Sequence, residues 1–365
     1  MVSAEKFINV LKKNKITFFT GVPDSILKSF CICLEKQPKN RHVLATSEGS
    51  AASIGIGHYL SKKEIPCVYM QNSGLSNAIN PLISIAGKNV YSIPLFLLIG
   101  WRGSPGSKDE PQHNAKGKIT RNLLKLLKID YCIIKNNQDL KKVEKLIKIS
   151  KKQNKIVACL IKKNFFNKIE RKKIISSKNL IRSDFIKKFL ELIPKKSKVI
   201  STTGYTSREL MEVRKKFNIN NGKDFYMVGG MGHSASVSIG YALNRNENVF
   251  CLDGDGSILM HLGSLFSAGH LNLKNFKHIV LNNNSHESVG GQATNANKIN
   301  FKNLSNSLGY KNYFVISTFK QMEANLKKFI RARGPCFLEV KIKIQSMKNL
   351  GRPDNFIKIR NDFIN

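Results

Sequence analysis

No apolar run in the 365 residues approaches the roughly 18 needed to cross a bilayer as a helix, so no membrane-spanning segment is expected. A signal-peptide core is also missing. The opening MVSAEKFINVLKKNK alternates charge with apolar positions, and the expectation is a cytoplasmic protein with no membrane partner. Cysteine is sparse: seven residues, at 31, 33, 67, 132, 159, 251 and 336, lie scattered through apolar segments. An odd, dispersed set argues against the clustered framework of a disulfide-stapled secreted domain. Cys31 and Cys33, two positions apart on a predicted helix, point to different faces and make a poor metal pair. Acidic residues are few, 24 against 61 basic ones, which leaves a net charge of +37. Such an excess would ordinarily raise nucleic-acid binding first. Only 12 of the basic residues are arginine, however, and the 49 lysines are spread along nearly every segment beside abundant Asn and Ile. That is the composition of a protein from an A- and T-rich genome. A recognition motif and interleaved stacking aromatics are both missing, so no nucleic-acid partner is expected and a basic nucleic-acid-binding protein is the distant alternative. The basic surface still favours capture of a multiply charged anion. Internal repeats and low-complexity tracts are absent too.

What is present is apolar material for cores of ordinary size, 41% hydrophobic against 23% charged, in a length that predicts two domains at roughly 100–200 residues each. Amphipathic helical stretches alternate with short apolar runs: ITFFTG, PCVYMQ (66–71), PLFLLIG (94–100), YCII (131–134) and KIVACLI (155–161). The basic, weakly periodic stretch that follows predicts a linker at 171–182, between domains at 1–170 and 183–365. Ser183 offers a helix N-cap before DFIKKFLELI, and the rhythm restarts with KVIST, DFYMV, NVFCLD, KHIVLN and CFLEVKI. Continuous apolar strands between helices imply the α/β class, with two doubly wound parallel sheets covered on both faces.

Two strand ends carry the chemistry. NVFCLDGDGSILM runs from an apolar strand into Gly254-Asp255-Gly256 and a helix beginning near Ser257. Two glycines allow close backbone approach to a ligand, and a helix N-terminus beyond a parallel strand suits a diphosphate, with Asp255 able to hold a bridging divalent cation. The strand KHIVLN ends in Asn282-Asn283-Asn284, and the 27 residues from Asp255 to Asn282 span about one helix and one strand. The two ends can therefore be neighbours. A carboxylate, a side-chain amide oxygen and a backbone carbonyl are hard oxygen ligands suited to Mg²⁺.

This paired motif resembles the thiamine-diphosphate-dependent decarboxylase superfamily. The resemblance implies thiamine diphosphate and Mg²⁺ as cofactors, with Asp255 and Asn282 as side-chain metal ligands and Asn284 supplying a carbonyl oxygen. It also implies a diphosphate lined by Gly254, Gly256 and Ser257. Residues 183–365 become the diphosphate- and Mg-binding domain and 1–170 the pyrimidine-binding domain. In the first domain LATSEGSAASIGIGHYL places Glu48 at a strand-to-helix junction. There the family holds a carboxylate against the aminopyrimidine ring to control its tautomer. Gly229-Gly230-Met231-Gly232-His233 matches the family's stretch beneath the cofactor, which makes Gly230, Met231 and His233 cofactor-binding candidates and Met231 the supporting apolar side chain.

The length leaves no room for the middle domain of larger members. The compact order resembles the family's phosphonopyruvate decarboxylases, through FTGVPDS (19–25), SEGSAASIGIG (47–57), QNSGLSNAINPL (71–82), GWRGSPGSKDEPQH (100–113), TTGYTSREL (202–210) and ESVGGQATNA (287–296). The loop GWRGSPGSKDEPQH follows a strand's carboxyl end, where open α/β sheets bind ligands. Its Arg102, Lys108 and His113 are anion-binding types for a 2-oxo acid with a second anionic group. His113 and His286 are the candidate proton-handling residues, and Arg208 stands after the Gly204 turn. By this resemblance the activity is non-oxidative decarboxylation of 3-phosphonopyruvate to phosphonoacetaldehyde and CO2 in phosphonate biosynthesis. Sulfopyruvate decarboxylation is the close alternative. The resemblance further implies a homodimer or dimer of dimers with active sites between subunits.

Overall fold

A computed structural model describes residues 1–171 and 180–365. Most of the expected linker, 172–179, lies outside the described residues. The chain divides into two units, one of Met1–Lys172 with Val289–Gln292, the other of Lys173–Ser288 with Ala293–Asn365.

The first unit holds strands β1 (Phe19–Gly21), β2 (His42–Leu44), β3 (Cys67–Gln71), β4 (Phe96–Gly100), β5 (Asp130–Ile134) and β6 (Val157–Ile161). They form one sheet in the order β2-β1-β3-β4-β6-β5, all parallel. Side chains alternate between its faces as the pleat requires. Tyr69, Phe96, Leu98 and Cys159 enter one apolar core, whereas Val68, Met70, Leu97 and Leu160 enter the other. Burial on both sides explains why these strands read as continuous apolar runs.

The second unit repeats the plan with β7 (Lys198–Ser201), β8 (Lys223–Tyr226), β9 (Val249–Gly254), β10 (Phe276–Asn282), β11 (Asn312–Ile316) and β12 (Cys336–Lys341). The order β11-β12-β10-β9-β7-β8 is again wholly parallel, and read from the other edge it is the topology of the first sheet. Phe250, Leu252, Ile279 and Leu281 face one core; Val249, Cys251 and Val280 face the other.

Two details differ from the sequence reading. The helix expected from Ser183 begins at Arg182, and its N-cap position, Ile181, has no side-chain cap. Leu180 is already buried in the second core, and that apolar anchor, not a serine cap, precedes the helix start. Strand β11 was not anticipated, because NYFVI is half-buried and adjoins polar residues. Among the described residues, no helix is long and apolar enough to cross a membrane.

Candidate active site

In each sheet the strand order reverses between the first and third strands of the unit, β1/β3 and β7/β9. Ligands of open α/β sheets bind beyond the carboxyl ends at such a switch point.

In the first unit the β1/β3 switch point holds Asp24, a residue the sequence reading quoted within FTGVPDS but gave no role. Asp24 is fully buried. It accepts hydrogen bonds from the Gln71 amide at 2.6 Å and from the backbone N–H groups of Ile26 and Leu27 at 3.0 and 3.2 Å. Burial raises its carboxyl above the usual range, although these bonds and nearby Arg102 pull the other way. Glu48 opens the helix Glu48–Lys62, behind Ser47, whose hydroxyl accepts from the Ser50 N–H. Its carboxylate is buried and accepts from the Asn77 amide at 2.9 Å. A Cβ at position 74 would stand 2.1 Å from Glu48 Oε1, so glycine is needed for the carboxylate to lie against that backbone.

The loop after β4 departs most from expectation. Arg102 donates to Asp109 through Nε and Nη2 at 2.7 and 2.5 Å and to Ser25 through Nη1 at 3.0 Å. The guanidinium fork intended for a substrate anion is therefore engaged by a carboxylate of its own loop. Burial alone would raise Asp109, but Arg102 and the N–H groups of Glu110 and Gly103 hold it well below the ordinary carboxylate range. Lys108 is exposed. His113, in the first turn of Pro111–Leu126, keeps a buried Nδ1 with no hydrogen-bond partner among the described residues. Burial, aided by the Arg102 charge, lowers its pKa to about 4, which makes the ring neutral at neutral pH.

In the second unit β9 and β10 are adjacent, with Leu281 opposite Gly254, and the two chemical strand ends are neighbours. Asp255 is buried, and burial raises its carboxyl to about 6 against a hydrogen bond from Thr294. The Thr294 hydroxyl donates to Asp255 and also lies 3.4 Å from Asn284 Oδ1. Asn282 accepts from the Asn284 N–H at 3.1 Å and donates to Glu339 at 2.9 Å. Asn283, which the sequence reading passed over, accepts from the Ser285 N–H at 3.0 Å and donates to Glu287 at 2.9 Å. Asp255, Asn282 and Asn284 thus belong to one hydrogen-bonded cluster, with Thr294 as an unforeseen member.

Around that cluster, a Cβ on Gly254 would meet nothing within 4 Å, whereas one on Gly256 would strike the His286 ring at 2.8 Å. His286 packs on the Gly256 backbone, and burial lowers its pKa to about 4. The Ser257 hydroxyl is shared with Thr202 at 2.9 Å and accepts from the Gly232 N–H at 3.1 Å. Met231 is half-buried, Gly230 is exposed, and exposed His233 stacks on His261 with ring centroids 4.3 Å apart. Arg208 donates to the backbone carbonyls of Leu350 and Gly351.

The donor set fits Mg²⁺ with a diphosphate: a buried carboxylate, asparagine oxygens beside it, and open space over Gly254. A Cys251, Asp253 and His278 grouping also has metal-ligand proximity, but both His278 nitrogens already face partners, Tyr310 at 3.2 Å and Asp253 at 3.4 Å. It is a hydrogen-bonded core.

Residues 1–123 match the N-terminal TPP binding domain of thiamine pyrophosphate enzymes, and 202–340 match the C-terminal TPP binding domain. The chain is 31% identical to a phosphonopyruvate decarboxylase of Streptomyces viridochromogenes, over 97% of its own length and 91% of that protein. It is 27% identical to a sulfopyruvate decarboxylase of Methanosarcina acetivorans, over 93% and 91%. A sulfopyruvate decarboxylase subunit beta of Methanocaldococcus jannaschii is 40% identical over 32% of this chain and 60% of that subunit.

Proposed function

The chain belongs to the phosphonopyruvate decarboxylase family of thiamine pyrophosphate enzymes, and we propose that it is a Mg²⁺-dependent carboxy-lyase converting 3-phosphonopyruvate to phosphonoacetaldehyde and CO2 in phosphonate biosynthesis. The observation that carries this reading is the buried Asp255 beside the Asn282–Asn284 turn at adjacent carboxyl ends. Thiamine diphosphate, when bound, supplies the electron sink for the carbon–carbon bond that breaks.

The protein's own groups do the rest. Asp255, Asn282 and Asn284 hold the metal, and Gly254, Gly256 and Ser257 line the diphosphate. Gly230, Met231 and His233 lie beside the cofactor. Glu48 holds or accepts a proton at the aminopyrimidine ring, kept in place by Asn77. Lys108 and the unpartnered Nδ1 of neutral His113 face the doubly anionic substrate, while Arg102 keeps the loop in shape through Asp109. His286, neutral against Gly256, handles a proton near the metal turn. In this reading 1–170 is the pyrimidine-binding domain and 183–365 the diphosphate-binding domain of a cytoplasmic homodimer or dimer of dimers. Glu48 of one subunit and Asp255 of another would serve one site. Mixed Glu48→Gln and Asp255→Ala chains should then regain activity; no recovery despite subunit exchange counts against it.

The test is CO2 release from 3-phosphonopyruvate with thiamine diphosphate and Mg²⁺, with sulfopyruvate and pyruvate in parallel and Glu48→Gln as control. Preferred turnover of phosphonopyruvate, lost in the variant, is the expected result. Preference for sulfopyruvate, for which the Methanosarcina relative speaks, would replace the substrate and keep the cofactor. Cofactor binding without turnover of any of the three would overturn the decarboxylase reading.

A further inference from the structure

Arg182 stands at the first position of its helix, Arg182–Leu192, where the helix dipole disfavours a cation. It is nevertheless only 5% exposed. Two carboxylates account for it: Arg182 Nη1 donates to Glu209 at 3.0 Å and Nη2 to Glu287 at 2.6 Å. Glu209 belongs to the helix Tyr205–Phe217 and also accepts the Met347 N–H at 3.1 Å. Glu287 belongs to the turn after β10 and accepts from the Asn283 amide at 2.9 Å. The turn is internally braced as well, because Asn282 and Asn283 each accept an N–H two residues ahead. A continuous chain thus runs from helix 205–217 through Glu209, Arg182 and Glu287 to the asparagine turn.

Resting on the function proposed above, we propose that Arg182 is a positioning residue for the diphosphate–metal site: through Glu287 and Asn283 it fixes the 282–287 turn in the conformation that receives the metal-bound cofactor. An arginine is required because one planar fork must reach two carboxylates from different elements, which a lysine's single ammonium does less well. Arg214 offers an internal control: it makes a partly buried, bidentate pair with Asp224 in the same unit, at 2.7 and 2.6 Å, and among the described residues that pair makes no hydrogen bond or ion pair to the turn.

The experiment measures calorimetric Kd for thiamine diphosphate at fixed Mg²⁺, the melting temperature of cofactor-free protein, and kcat and KM at saturating cofactor. It compares wild type, Arg182→Lys, Glu287→Gln and Arg214→Lys. The expected result is a Kd at least tenfold weaker in Arg182→Lys and weaker in Glu287→Gln. Their substrate KM should stay within twofold, with kcat recovering at high cofactor, and Arg214→Lys should lose melting temperature without losing cofactor affinity. Unchanged Kd in Arg182→Lys and Glu287→Gln overturns the proposal while leaving the function intact. Loss of affinity in Arg214→Lys in proportion to its melting temperature also overturns it, since general destabilisation would then suffice. If Arg182→Lys does not fold, Glu287→Gln decides by the same criterion. Wild-type protein that binds no thiamine diphosphate removes the function and the positioning role together.

Discussion

The two sheets share one topology, yet the carboxyl ends of their strands carry different sets of side chains. At β1/β3 the first unit holds carboxylates whose positions are set by protein donors: Asp24 by Gln71 and two backbone N–H groups, Glu48 by Asn77 against Gly74. At β9 and β10 the second unit gathers Asp255 and asparagine oxygens around open backbone, with a single threonine hydroxyl between two of them. Under the proposed function, carboxylates held in place by protein donors suit proton handling, and a buried carboxylate among asparagine oxygens suits a cation. If both roles hold, one fold carries them, and the residues after the strands divide them.

The largest expected effect tests that division directly. Asp255→Ala should weaken binding of thiamine diphosphate with Mg²⁺ by more than the ~100-fold typical of losing an outer partner. Glu48→Gln should leave calorimetric binding within a few fold yet lower kcat by about 10³, in the range of a lost general acid–base group. If both variants lost binding equally, the division of labour would be wrong. Asp24→Asn sharpens the same contrast. The amide can still accept from Ile26 and Leu27, so the fold should hold, while kcat falls by about 10² with cofactor affinity unchanged. A kcat within threefold of wild type would make Asp24 a structural cap alone.

A smaller effect concerns the loop after β4. Arg102→Met leaves Asp109 without its cation in a largely covered place, which should cost roughly 3 kcal/mol, or about 10 °C in melting temperature for a domain of this size. Arg102→Met with Asp109→Leu should recover most of it by removing both charges. If the double variant recovered stability but not turnover, Arg102 would meet the substrate as well as Asp109.

How much of this was legible beforehand follows from the range of each interaction. Apolar runs such as FLLIG and VACLI announced buried parallel strands because each residue reports its own burial. The GDG and NNN ends were legible because strand, turn and helix are local. The duplicated topology was invisible as a sequence repeat, since a sheet order needs only the apolar period and the helix lengths to recur. Residue type makes Arg102 a substrate-binding candidate, but its pairing with Asp109, seven residues on, shows only in the folded loop, because residue type does not say which anions a fork will grip. Arg182 was taken into a linker because its partners are 27 and 105 residues away. Thr294, quoted within ESVGGQATNA, carried no signal apart from being a hydroxyl near an asparagine-rich turn.

The smallest effect is a pH dependence that only a buried acid produces. Burial raises the Asp255 carboxyl to about 6 in the cofactor-free protein, whereas an unfolded chain has it near 3.9. Between those values the native state holds this proton more often than the unfolded state, so the contribution of Asp255 to stability is greatest below about pH 4 and is lost as pH rises through about 6. By neutral pH the buried charge costs about 1–3 kcal/mol. Asp255→Asn, which can still accept from Thr294, should therefore raise the melting temperature of cofactor-free protein at pH 7 by several degrees and flatten part of its decline between pH 4 and 6. Asp24→Asn should remove a separate portion, since burial raises that acid too. The two should differ once Mg²⁺ and thiamine diphosphate are added. Cofactor should stabilise the Asp24 variant as it does wild type and leave the Asp255 variant unmoved, because only in the second unit is the cost of burying the charge repaid by a bound cation.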